Sequence, residues 1–117
     1  MSPLVTATGI GTLLQTVMVV VGHLLPALAE AGLFPIGGTL IGLVTGWLAG
    51  GGGAKAPAGA TALTGGVAGG IAGVLGSLVS TALGDVPFSN IAIAGGSTFV
   101  TGALGGFLRS RQRGSRA

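Results

Sequence analysis

The sequence predicts an all-α integral membrane protein, an up-down bundle of four transmembrane helices with glycine-zipper packing and both termini on the cytoplasmic side. Three observations carry this expectation. Charged residues make up 6% of the 117 residues, where a soluble domain carries about 25%, so a water-facing surface could not be covered. Glycine contributes 26 residues, without a Gly-X-Y period, and it lies inside apolar runs rather than polar linkers. The use of glycine in such runs is close helix approach in lipid. The apolar residues, 49% of the chain at a mean hydropathy of +0.89, fall into four segments. Each is close to the roughly 20 residues that a bilayer crossing needs.

The first segment runs from about Leu4 to Ala29, with Ser2-Pro3 reading as an N-cap followed by proline at the first helical position. Ala27-Leu28-Ala29 resembles a signal-peptidase site, but no basic residue precedes the apolar run, so the segment is expected to stay as a span. The second runs from about Pro35 to Gly52 and the third from about Pro57 to Leu83. The fourth covers about Ser89 to Leu108, with Ser89 or Asn90 as its cap, and a basic tail occupies 109–117. One transmembrane domain, 1–108, precedes that tail. The linkers Glu30-Ala31-Gly32, Gly51 to Pro57, and Gly84-Asp85-Val86-Pro87 are short and full of breakers, which makes sequential helices antiparallel neighbours. Lys55 and the tail then fall on one side, Glu30 and Asp85 on the other. Basic residues favour the cytoplasmic side. Phe34 and Phe88 mark the acidic edge, Trp47 and Phe107 the basic one.

Within the spans, small residues recur every four positions. The second helix carries Gly38, Gly42, Gly46 and Gly50, and the third carries Gly65, Gly69, Gly73 and Ser77 beside Ala62, Gly66 and Gly70. The fourth carries Ala94, Thr98, Gly102 and Gly106. These stripes are the expected helix-packing faces. The first helix has a leucine and valine surface suited to lipid and a second stripe of Thr8, Gly11, Thr12, Gln15, Thr16, Gly22 and His23. That stripe is expected to face the bundle, because polar groups in hydrocarbon need partners. Val44 to Gly50 and Val100 to Gly106 share the pattern V-T-G-x-L-x-G, which either a duplicated two-helix hairpin or chance in so simple a composition would give.

Little chemistry is encoded. With no cysteine, disulfides and thiolate chemistry are excluded. His23 is the one histidine and the two carboxylates sit in separate loops, so no triad, acid–base pair or metal set is expected. Gly50 to Lys55 lacks the P-loop pattern because Ala56 follows the lysine. The chain is expected to be non-enzymatic and without cofactor. Gln15 and His23 are the candidate intramembrane polar site, and serines and threonines of the second to fourth helices are expected to bond their own helix carbonyls. Arg109, Arg111, Arg113 and Arg116 are candidate contacts for anionic lipid or a partner, rather than for nucleic acid.

Pro35 to Gly38, Trp47 to Gly50, Gly59 to Gly66 and Ala103 to Leu108 together resemble small glycine-rich multi-spanning membrane proteins of unknown function from haloarchaea. The resemblance covers roughly the last two-thirds of the chain and implies a membrane-embedded helical fold. That family has no assigned activity, so it lends no site residues. The arginine tail and the scarcity of acids depart from halophilic habit. The leading functional expectation is a structural or assembly protein, self-associating or packed in a larger membrane or virion complex. The partners would then be lipid, other copies or other membrane subunits, in a cell membrane or the internal membrane of a virus. A holin-like pore-former and a small channel or transporter are the alternatives.

Overall fold

The computed structural model describes residues 3–50, 58–84, 87 and 89–116, except the side chains of 3, 29, 34, 35, 58 and 113–116. The expected cap at Ser2, Lys55 with its turn, Asp85 and Phe88 lie outside the described residues, as does the Phe34 side chain. The described residues form helices only: α1 (Pro3–Leu24), α2 (Pro26–Glu30), α3 (Leu33–Ala49), α4 (Ala58–Ala82) and α5 (Asn90–Arg116).

Two boundaries differ from the sequence reading. The first apolar segment is not one helix from Leu4 to Ala29, because α1 ends at Leu24 and a separate turn, α2, begins at Pro26. Proline has no N–H and its ring opposes the carbonyl four residues back. Leu25 N–H still bonds Val21 O at 2.8 Å, and the ladder then breaks. At the other end, α5 does not stop at Leu108 but continues to Arg116. Arginine and glutamine are good helix formers, so leaving the apolar run does not end the helix. Two turns use glycine in the left-handed region: Gly32 at φ 101° before α3, and Gly84 at φ 80° after α4.

Three helices, Leu4–Leu24, Gly59–Ala82 and Asn90–Gln112, are long and apolar enough to cross a membrane, while the apolar part of α3, Ile36–Ala49, is shorter. The molecule measures 46 × 23 × 22 Å. Helix α1 packs on α3 and α4, α5 packs on the same two, α3 and α4 touch, and α1 and α5 do not meet.

Residue size is inverted relative to a soluble protein. The buried apolar residues are Ala7, Val19, Ala49, Ala68 and Ala72, and the largest fully buried side chain is Thr45. Outside stand Leu13, Leu24, Ile36, Leu63, Ile93 and Val100, each more than half exposed. In water such a surface would aggregate, whereas helices in lipid bury small residues and turn large apolar ones outward.

Candidate functional site

Several of the stripe glycines lie where the helices come closest. On α3, a Cβ at Gly42 would strike the Thr101 hydroxyl, one at Gly46 would strike the Gly102 carbonyl oxygen, and one at Gly50 would stand 3.2 Å from Gly106 Cα. Residue numbers rise together, so α3 and α5 run parallel. The two V-T-G-x-L-x-G segments lie side by side in register. On α4, a Cβ at Gly65 would strike Gly102 O, one at Gly69 would strike Thr98 O, and one at Gly73 would strike the Thr98 hydroxyl. Here numbers run in opposition, so α4 and α5 are antiparallel. Gly102 and Gly106 face both seams, the latter with its hydrogen against Thr61 O. Gly105, outside the stripes, is as tightly held, because a Cβ there would strike Leu43 O and approach Trp47 N at 2.8 Å.

Gly38 behaves differently from its stripe. It is buried, yet nothing lies within 4 Å of where its Cβ would be. It borders a cavity of about 410 Å³ walled by all four long helices. Gln15 and Met18 come from α1, Thr39 from α3, Gly76, Ser77 and Ser80 from α4, and Asn90, Ile93, Ser97 and Thr98 from α5. The bundle is therefore tight at one end, where Ala7, Ala49 and Ala68 cluster, and open inside at the other.

The cavity wall is mainly apolar but carries several uncharged polar side chains and, among the described residues, no charged one. Gln15 is 4% exposed and Ser80 is 3% exposed. Among the described residues neither Gln15 Nε2 nor Ser80 Oγ has a hydrogen-bond partner. Ser77 Oγ accepts from Asn90 Nδ2 at 3.2 Å, and Thr98 Oγ1 donates to Ala94 O at 2.6 Å. Thr16, Thr45, Thr64 and Ser97 likewise donate to carbonyls one turn back on their own helices. Gly76 makes room for Gln15, since a Cβ there would lie 2.6 Å from Gln15 Cβ.

Gln15 thus sits inside, while His23, its expected companion, is exposed in the last turn of α1 and does not line the cavity. The geometry does not bring the two together. Ser77 is expected from the sequence as part of a helix-packing stripe and Asn90, with Ser89, as a candidate cap, but Ser77 lines the cavity and Asn90 Nδ2 reaches across to it on α4. Sequence reasoning passed over Ser80, because facing the cavity depends on which helix stands opposite.

At the other end, the Arg109 guanidinium lies 3.8 Å from the centroid of the Trp47 ring, and its Nη1 donates to Trp47 O at 3.2 Å. Trp47 Nε1 donates to Gln112 Oε1 at 2.9 Å. Arg111 is exposed, and the side chains of Arg113 and Arg116 lie outside the described residues. No protein-family model, curated protein or solved structure matches this chain.

Proposed function

We propose that this chain is a non-enzymatic integral membrane protein that crosses the bilayer four times and serves as a rigid structural element, alone or within a larger membrane assembly. The observation that carries the reading is the double seam at Gly102 and Gly106. Backbone-to-backbone contact there joins both α3 and α4 to α5. Such contact suits lipid, where association relies on packing rather than on the hydrophobic effect. Helix α3 crosses despite its 17 residues, a length of about 25 Å, which a slightly thinned bilayer accommodates.

The small-residue faces are largely occupied within the chain, so they are not the surface for self-association. Contact with other copies or subunits would use the apolar exterior, including the shallow groove beside Leu43, Val44, Trp47 and Leu108. Purification from native membrane in mild detergent, with mass measured by light scattering, tests the assembly role. A discrete species larger than one chain is expected, and a clean monomer without partners contradicts it.

A further inference from the structure

We propose that the cavity among α1, α3, α4 and α5 is a binding site for a small uncharged polyol group, supplied either by a free polyol or by the glycerol headgroup of a neutral lipid such as diacylglycerol. The inference goes beyond the structural role and needs only the membrane-embedded bundle. Its starting point is the pair of unpartnered polar atoms, Gln15 Nε2 and Ser80 Oγ, on residues 4% and 3% exposed that both line the cavity. A buried polar atom left without a hydrogen bond is unfavourable, and native proteins rarely tolerate one. Gln15 Nε2 can only donate, while Ser80 Oγ can donate and accept. Once either side chain turns toward the cavity, a ligand hydroxyl accepts from the first and exchanges a hydrogen bond with the second, so neighbouring hydroxyls on one short carbon chain suit both.

The rest of the wall narrows the chemistry. Among the described residues no charged side chain lines the cavity, and an ion without a counter-charge would enter at high cost. Met18 and Ile93 give it an apolar side that suits a carbon skeleton. A volume of about 410 Å³ falls in the range of small-molecule sites, roughly 300–1,000 Å³. The lining residues Thr39, Ile93 and Ser97 are themselves exposed. They mark a mouth between the N-terminal halves of α3 and α5, on the outer side of the bilayer in the four-span reading.

The test uses the full chain in phosphatidylcholine nanodiscs. In one arm xylitol is titrated and binding is followed by saturation-transfer NMR. In the other, diacylglycerol is added to the nanodisc lipid and retained lipid is read by native mass spectrometry. Saturable binding in either arm is expected, and the arm that gives it identifies the source. Gln15→Leu should weaken that binding about tenfold, as expected for one lost hydrogen bond. Gly38→Leu, whose side chain has room only in the cavity, should abolish it. Unchanged helicity and elution volume establish that both variants fold. No saturable binding of either probe, or binding that both folded variants retain, overturns the proposal. A chain that does not incorporate into nanodiscs fails the membrane reading as well, whereas one that incorporates and binds neither probe fails this inference alone.

Discussion

Arg109 covers the indole of Trp47 from 3.8 Å and also bonds that residue's backbone carbonyl, so a single side chain fastens the end of α3 to α5. The carbonyls of a helix's last turn have no partner within the helix, and a cation there also complements the helix dipole. One contact therefore combines cation–π attraction with a C-terminal hydrogen bond. Trp47 is the one tryptophan of the chain, and its fluorescence reports on this joint alone.

Arg109→Ala should cost about 1 kcal/mol and shift the tryptophan emission, with Arg109→Lys intermediate. Unfolding in mixed micelles, followed by fluorescence, measures both. An Arg109→Ala protein with wild-type emission and stability would show that the stacked arrangement does not persist in lipid or detergent.

Alanine substitution at glycines should separate by sign. At Gly46 and Gly105 the added methyl meets backbone carbonyl oxygens, those of Gly102 and Leu43. Backbone yields little, so each change should destabilise by about 1–3 kcal/mol. At Gly9 and Gly96, both exposed with nothing within 4 Å, alanine should be neutral or stabilising by up to about 1 kcal/mol. Equal effects at all four positions would mean that the seam does not determine the packing.

Gly11 and Thr45 form a third close pair, between α1 and α3. A Cβ at Gly11 would strike the Thr45 hydroxyl and come 2.7 Å from its Cγ2. Gly11→Ala alone should destabilise, and Gly11→Ala with Thr45→Ala should recover part of the loss. Coupling of about 1–2 kcal/mol in the double-mutant cycle is expected. Strict additivity would mean that the residues are not in contact.

What the sequence made legible follows from the range of the forces involved. Apolar runs and breakers are local signals, and they located all four long helices. The break at Pro26 and the extension of α5 to Arg116 were missed because the end of a lipid-compatible run was equated with the end of a helix. Four-residue spacing identified the glycine stripes but not their partners, so Gly38 was grouped with Gly42 although it faces the cavity. His23 shows the limit of extending a stripe. Eight residues beyond Gln15, a helix has turned about 80°, which is enough to move the imidazole from the interior to the surface, while Gly22 stays buried. Ser80 carried no local mark, because its significance depends on the distant chain segments that complete the cavity wall.

The central claim is that four helices cross the membrane, and α3, the shortest of the four long helices, is where it is most exposed to test. The chain contains no cysteine, so single cysteines can be introduced at Glu30, Lys55, Ser89 and Gly114 and labelled from either side of sealed vesicles with an impermeant maleimide. Cysteines replacing Glu30 and Ser89 should react from the outer side only, and those replacing Lys55 and Gly114 from the cytoplasmic side only. Labelling of the Glu30 and Lys55 positions from the same side would mean that α3 does not cross, and the four-span account would be contradicted.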